Sequence, residues 1–260
     1  MSIQYIKADP TGNITALVES FSGNLSPQQA AEKVFSADSS IEQLGFLSES
    51  PRGDIALTMA GGEFCGNACL CAAAVHLRRS GLDNAELSVD ISGAEDCVAV
   101  KISRSGENEY SGNLEMPMPL GIEEIETPLG LLPLVRFPGI SHLIVRGGCS
   151  PARAEELIAP LCTELGCEAL GIMIYNEGKS SLLPLVYVPG ALTLCWEHSC
   201  ASGSSALGAW LAQRRGESTS LRLSQPGGTL GIHANFSDGS LRSLILEGSV
   251  SLSPVESLGI

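Results

Sequence analysis

The sequence has no long apolar run and no dense cluster of basic residues. No segment reaches the roughly 18 consecutive apolar residues that a membrane-spanning helix needs, and the first residues lack the apolar core and cleavage site of a signal peptide. Only 15 lysines and arginines stand against 29 acidic residues, a net charge of −14 that would repel a phosphate backbone. We therefore expect a cytoplasmic protein that binds neither a membrane nor nucleic acid.

Nine cysteines are present, but they do not form the framework of a small secreted disulfide protein. Their number is odd, the chain is long and no C-x-x-C occurs, so we expect thiols in a reducing compartment. Most should be buried small hydrophobic residues, including Cys69 and Cys71 in a helix pattern and Cys195 in a strand-like run. Cys65 precedes the first two, but no histidine stands at a spacing that would complete a tetrahedral zinc site, so no metal is predicted.

The composition is that of a globular protein, with 44% hydrophobic and 17% charged residues. A chain of 260 residues is long enough for two domains. Short aliphatic segments typical of strands are interrupted by a few helix patterns, which predicts an α+β fold. We expect an N-terminal domain at residues 1–116, with the tail 251–260 packed back on it, and a C-terminal domain at 117–250.

The helix signals occur in the same order in both halves of the chain. Ser26-Pro27 and Ser150-Pro151 each provide an N-cap followed by proline at the first helical position. A second helix in each half follows a cysteine and ends at a glycine 16 positions later, at Cys65–Gly81 and Cys200–Gly216. This repetition predicts a duplicated, pseudo-symmetric architecture. Strands are expected at Ile14–Val18, Ile55–Met59, Leu87–Val89, Val98–Ile102 and near 171–176 and 182–188, with a crossover between domains at 116–134 and a tight turn at Gln225–Gly228.

Cys65 and Cys200 each stand where a turn of small residues enters a helix. The unpaired N–H groups and the dipole of a helix N-terminus favour a thiolate there and also suit a carboxylate ligand. Two such thiols on opposite faces of an α-carbon would allow one to remove its proton and the other to return one. Inert buried cysteine is the commoner state, but matching turns at equal helix offsets favour the catalytic interpretation.

At these turns the sequence resembles the diaminopimelate epimerase family, and it is more similar still to the histidine racemases that supply opine-type metallophore biosynthesis. The similarity covers nearly the whole chain, and its motifs are specific only when they are taken together. They stand at Asp9–Asn13, Glu42–Phe46, Met59–Ala68, Trp196–Gly203 and Gln225–Gly228.

The resemblance implies an isomerase that is independent of PLP and of any other cofactor, in which Cys65 and Cys200 are the acid/base pair. It implies a diaminopimelate epimerase-like fold, with two pseudo-symmetric domains that each wrap a mixed or antiparallel sheet around a central helix. A homodimer is usual in the family. The implied substrate-binding residues are Asn13, Glu42, Gly66, Asn67, Glu197, Ala201, Ser202 and Gly203.

Two departures from the epimerase pattern bear on the substrate. The epimerases use the asparagine of a Gly-Asn-Pro-His segment in their pocket, whereas this chain has Gly139-Ile140-Ser141-His142. Their arginine for the distal carboxylate is missing from Trp196-Glu197-His198. The departures favour histidine, whose imidazole would meet Glu42 or Glu197, over diaminopimelate. A diaminopimelate epimerase and a racemase of another amino acid remain alternatives, as do a phenazine-type isomerase and a non-catalytic amino-acid-binding protein, which would not need both thiols.

Overall fold

A computed structural model describes residues 2–259. Residues 1 and 260, the outer ends of the predicted N-terminal domain and of its tail, lie outside the described part of the chain. Residues 2–259 form sixteen strands, four α-helices and two short 3-10 helices, which confirms the predicted α+β class. The chain divides into two compact units, Met1–Glu115 with Glu247–Ile260, and Met116–Leu246.

The first unit contains a sheet whose strands β1 to β7 are neighbours in chain order. The β2–β3 and β4–β5 pairs are parallel, because a helix connects the two strands of each pair. The long final strand β16 lies between β7 and β1 and closes the sheet. The elements are β1 (Ser2–Asp9), β2 (Thr15–Phe21), α1 (Pro27–Ala37), β3 (Gln43–Ser48), β4 (Ile55–Met59), α2 (Gly66–Ser80), β5 (Asn84–Ile91), β6 (Val98–Arg104), β7 (Glu109–Met116) and β16 (Ser240–Gly259).

Helix α2 is almost completely covered by the strands of the first unit. Eleven of its 15 residues are buried, and it packs against β2, β4, β5 and β6. Its run of alanines and cysteines offers a small, apolar surface on every side, as a helix in the middle of a core requires. Cys69 and Cys71 are fully buried here, as predicted, and burial raises the pKa of both thiols.

The second unit has a comparable sheet in which β8 to β12 are neighbours in chain order, followed by β14, β15 and the start of β16. Strand β13 lies off this path and pairs with β12. The elements are β8 (Gly121–Thr127), β9 (Gly130–Phe137), β10 (Ile140–Arg146), α3 (Pro151–Glu164), β11 (Leu170–Asn176), β12 (Ser181–Val188), β13 (Thr193–Trp196), α4 (Ala201–Arg215), β14 (Thr219–Gln225) and β15 (Gly228–Ser237), with 3-10 turns at Glu177–Lys179 and Pro189–Ala191.

Helix α4 is the buried helix of the second unit. It also has 15 residues, of which eleven are buried, and it packs against β9, β10, β11, β14 and β15. At Gly208 the helix approaches β15 so closely that an added Cβ would lie 3.1 Å from Cγ1 of Ile232. Small residues therefore set the distance between this helix and its sheet.

The predicted helix boundaries are confirmed. Ser26 Oγ accepts the N–H of Gln29, and Ser150 Oγ accepts the N–H of Arg153 at 3.3 Å, so both serines are N-caps. Gly81 and Gly216 end α2 and α4 in the left-handed conformation, with φ of 70° and 69°. The predicted strands are also present, and Gln225 pairs with Gly228 across the expected hairpin turn.

Two predictions are wrong. Segment 116–134 is mostly the β8–β9 hairpin and not a crossover. Pro133 is tolerated because the ladder from β9 to β10 begins only at Leu134, which leaves the missing N–H of the proline on an unpaired side of β9. Cys195 is exposed and not part of the core, because β13 is an edge strand. No helix among residues 2–259 combines the length and the apolar character that crossing a membrane requires.

Candidate active site

Cys65 is the N-cap residue of α2. Its backbone is extended, with φ of −138°, and its sulfur accepts the backbone N–H of Ala68 at 3.4 Å. Only 9% of the residue is exposed. The thiol therefore lies in the first turn of a helix, where the N–H groups and the dipole stabilise negative charge.

Cys200 occupies the same position in α4. Its φ is −125°, its sulfur accepts the backbone N–H of Gly203 at 3.3 Å, and 5% of the residue is exposed. Both cysteines thus cap a 15-residue buried helix with the sulfur bonded to the third residue of that helix. The equal spacing in the sequence corresponds to the same local geometry.

In the first unit, Cys65 is linked through Gln43 to the segments that carry Asn13 and Glu42. Gln43 Oε1 accepts a hydrogen bond from Cys65 Sγ at 2.9 Å. The backbone N–H groups of Glu42 and Gln43 both donate to the carbonyl of Ile14, which joins this segment to the one that carries Asn13. Asn13 is buried and Glu42 is half-buried. Gly66 and Asn67, the first two residues of α2, are buried beside the thiol.

In the second unit, Cys200 has polar neighbours of another kind. Its sulfur lies 3.6 Å from Ser202 Oγ and is hydrogen-bonded to Glu197. Burial, together with the charge of Glu197 and the hydrogen bond to it, raises the pKa of Cys200 well above the usual range for a thiol, and the bonds from Ser202 and from the Gly203 N–H lower it by less. The expected lowering of this pKa by the helix N-terminus is therefore wrong, because desolvation dominates.

The backbone of Cys200 is held by a closed set of side-chain hydrogen bonds. Gln225 Oε1 accepts the Cys200 N–H at 2.9 Å, and Gln225 Nε2 donates to Ser204 Oγ at 2.9 Å. Ser204 Oγ in turn donates to the Cys200 carbonyl at 2.7 Å. We call these three bonds the Gln225–Ser204 bridge. It engages both backbone groups of the residue that carries the thiol.

His142 is a buried histidine that contacts the same turn. Its Nε2 lies 2.9 Å from Ser202 Oγ, and burial lowers its pKa to about 3, so the imidazole is neutral. Within residues 2–259, Nδ1 has no hydrogen-bond partner. A proton on Nδ1 would thus be buried without an acceptor, so the neutral ring carries its proton on Nε2 and donates to Ser202. The hydroxyl proton of Ser202 is then available to the sulfur of Cys200.

Sequence reasoning missed Gln43, His142, Ser204 and Gln225. Gln43 and Gln225 stand inside motifs that carry the family resemblance. Their place in those motifs was the signal that could have identified them. His198, in contrast, is exposed, and its carbonyl accepts the N–H of Gly227. Residues 2–259 contain no group of three or more His, Cys, Asp or Glu side chains arranged to hold a metal ion.

Solved structures show which class of protein has this fold. A phenazine biosynthesis protein of the PhzF family from Bacillus anthracis is 15% identical, and the match covers 100% of both chains with a TM-score of 0.74. A hydroxyproline epimerase from Agrobacterium vitis is 14% identical over 99% of this chain and 92% of that chain, with a TM-score of 0.68. The fold is therefore the mixed α+β fold of PhzF-like proteins and proline racemase-like epimerases.

The sequence defines the family more narrowly. Residues 2–255 match the family model described as the histidine racemase CntK N-terminal domain. A histidine racemase from Fusobacterium nucleatum subsp. nucleatum is 32% identical over 219 residues, 80% of this chain and 81% of that protein. One from Staphylococcus aureus is 26% identical over 245 residues, 88% and 87% of the two chains. The chain belongs to the histidine racemase family, which confirms the prediction of an amino-acid racemase.

Proposed function

We propose that this racemase interconverts L- and D-histidine by passing the α-proton between Cys65 and Cys200. The observation that supports the proposal best is the shared capping geometry, in which each sulfur accepts the N–H of the third helical residue. This geometry gives each thiol the same local stabilisation of its anionic form. A two-base racemase needs both thiols to form thiolates, because each base becomes the acid when the substrate is the other enantiomer.

In one direction, Cys200 is the base and Cys65 the acid. Glu197, which is hydrogen-bonded to Cys200, takes the thiol proton, and the resulting thiolate removes the α-proton of histidine. The Cα–H bond breaks as an S–H bond forms on Cys200, and Cys65 then gives its S–H proton to the opposite face of the carbanion. The products are the other enantiomer, a Cys200 thiol, a Glu197 that keeps the proton it accepted, and a Cys65 thiolate, which is the state that processes that enantiomer.

The helix N-termini provide the proposed carboxylate site. Ala68 N–H and Gly203 N–H are occupied by the sulfurs, so we assign the carboxylate to donors nearer the start of each helix, among them those of Gly66, Ala201 and Ser202. Backbone N–H groups at a helix N-terminus attract a carboxylate and stabilise the charge that develops on it during proton abstraction. Gly203 lets the backbone and Cys200 lie close together.

The substrate side chain is the second part of the proposal. Glu197 is hydrogen-bonded to Cys200, so we assign the imidazole contact to Glu42, with Asn13 and Asn67 shaping the pocket. A half-buried carboxylate accepts a hydrogen bond from imidazole and attracts its cationic form. It offers nothing to the distal carboxylate of diaminopimelate.

The proposal includes an architecture of two pseudo-symmetric domains, each with a sheet around one central helix. The equal lengths, caps and burial of α2 and α4 support it. We further propose that the protein is cytoplasmic and forms a homodimer. Analytical ultracentrifugation of the purified chain tests the dimer.

The decisive experiment is incubation of the protein with L-histidine in deuterated water. Chiral chromatography should show D-histidine, and NMR should show loss of the α-proton signal at a matching rate. Parallel incubations contain LL-diaminopimelate, L-proline and L-alanine. Turnover of one of these without turnover of histidine would overturn the substrate, and absence of deuterium from the product would overturn the proton relay.

A further inference from the structure

Gln225 has both ends of its side-chain amide engaged, and both are tied to the residue that carries the proposed base. It is 6% exposed, and Ser204, its partner, is fully buried. The three bonds of the Gln225–Ser204 bridge are between 2.7 and 2.9 Å long. None of them involves the sulfur of Cys200. Whatever Gln225 contributes to that thiol must therefore act through the backbone.

The bridge restrains the part of Cys200 that aims its side chain. The N-cap residue is the only one in the first turn whose backbone is not helical, so the helix itself does not fix its φ. Gln225 holds the N–H of Cys200, and the Cys200 carbonyl accepts both the hydroxyl and the backbone N–H of Ser204, so the peptide units on both sides of Cα are held. The direction of the Cα–Cβ bond, and with it the position of the sulfur, follows from these two units.

The first unit uses a glutamine differently. Gln43 bonds the sulfur of Cys65 directly. Each proposed base therefore has a nearby glutamine, but one glutamine bonds the thiol and the other bonds the backbone. A general requirement for an amide side chain near a helix N-cap does not explain this difference.

We infer that Gln225 is a positioning residue that, through Ser204 and the backbone of Cys200, aims this thiol at the α-carbon of the substrate. The inference rests on the proposed thiol relay. Proton transfer depends steeply on the distance and direction between donor and acceptor, so a small displacement of the sulfur lowers the rate of the chemical step more than it lowers substrate affinity. Loss of the bridge should therefore change kcat and leave KM nearly unaltered.

Three variants test this. In Q225M the new side chain has nearly the volume of glutamine but makes neither of its two hydrogen bonds. S204A removes the hydroxyl that completes the bridge. S205A is the matched control, because Ser205 is the next residue of α4, is fully buried and donates its hydroxyl to the carbonyl of Ala201 at 2.9 Å, in the way that Ser204 does to Cys200. Of these two serines, only Ser204 is bonded to Gln225.

We expect kcat for histidine to fall about 10- to 100-fold in Q225M and about 3- to 10-fold in S204A, with KM within about 2-fold. S205A should retain kcat within about 2-fold. The double variant Q225M/S204A should be no slower than Q225M, since both changes break one unit. The assays are run well below the unfolding temperature of each variant.

A local measurement separates positioning from general destabilisation. Peptide-level alkylation by iodoacetamide should become faster at Cys200 in Q225M, while Cys162, a buried thiol in α3, should react as slowly as in the unsubstituted protein. Equal acceleration at both thiols would mean that Q225M loosens the whole unit and would overturn the inference, as would a kcat within 3-fold of the unsubstituted protein. If C200S still racemises histidine, the relay itself is wrong, which is a different failure.

Discussion

Gln43 accepts the thiol hydrogen bond of Cys65 at 2.9 Å. Cys200, in the same position of its own helix, is instead bonded to the carboxylate of Glu197 and lies beside the Ser202 hydroxyl. An amide oxygen is an acceptor that cannot take up a proton at neutral pH, whereas a carboxylate can. The two halves therefore have the same backbone geometry, but the thiol of Cys65 is bonded to a side-chain amide and that of Cys200 to a carboxylate.

Substitution of either proposed base should stop racemisation. C65S and C200S should each lower kcat/KM about 100- to 10,000-fold, because a serine hydroxyl is a much weaker acid than a thiol and is hardly ionised at neutral pH. C195S is the control, since Cys195 is exposed on an edge strand. Chiral chromatography of histidine measures all three. A C195S variant as impaired as the other two would point to a general effect of removing thiols.

Glu197→Gln should make the Cys200 thiol easier to ionise and nevertheless slow racemisation. Removal of its charge should lower the pKa of Cys200, because that charge and its hydrogen bond raise it now, so the pH midpoint of Cys200 alkylation shifts to lower pH. Racemisation should nevertheless slow about 10- to 100-fold, since the amide cannot take the thiol proton. Glu164→Gln, at an exposed acid of the same unit, should change neither. Unaltered racemisation in E197Q would exclude Glu197 as the proton acceptor.

The features that sequence predicted correctly are those set by neighbours in the chain. The serine caps at Ser26 and Ser150, the two cysteine caps and the terminal glycines are all determined within one helical turn. Local rules also found the strands, which are short runs of mainly aliphatic residues in which buried and more exposed positions alternate. The spacing of residues along the chain is enough to predict these contacts.

The missed features depend on residues that are distant in sequence. Gln225 reaches Cys200 across 25 positions, and His142 reaches Ser202 across 60. The pKa of Cys200 was predicted in the wrong direction because the helix dipole is a local property, while burial depends on the whole unit. Cys195 was assigned to the core because a strand pattern does not reveal that the strand lies at an edge.

Stability should depend on pH through His142. Its pKa is about 3 in the folded protein, whereas an unfolded chain binds a proton near pH 6.5. Below about pH 6.5 the unfolded state therefore holds more protons, and the free energy of unfolding should fall by up to about 1.4 kcal/mol for each pH unit towards pH 3. H142Q should remove this contribution, which urea unfolding at pH 7, 6 and 5 measures. Equal slopes for H142Q and the unsubstituted protein would show that another group causes the loss.

Activity should distinguish two replacements of the same histidine. Glutamine at position 142 can still donate an amide N–H towards Ser202 Oγ, whereas phenylalanine fills the space beside Phe137 without a donor. We expect H142Q to keep kcat within about 5-fold and H142F to lose about 10- to 100-fold, the value of one charge-assisted hydrogen bond to the Cys200 thiolate. If H142F is as active as H142Q, the hydrogen bond to Ser202 has no part in catalysis.

Gly203→Ala should impair the enzyme because the side chain of Met173 leaves no room for a Cβ at position 203. An added Cβ would overlap the Met173 sulfur and lie 3.2 Å from Cys200 Sγ, so α4 must shift and carry the thiol with it. We expect a loss of about 1–3 kcal/mol in unfolding free energy and a lower kcat, with partial recovery of both in G203A/M173V, where the shorter side chain makes room. G208A, whose Cβ meets Ile232 at 3.1 Å, should cost less and leave kcat unchanged, because it lies two turns from Cys200. If G203A/M173V recovered the unfolding free energy but not kcat, the substrate and not only Met173 would need glycine at position 203.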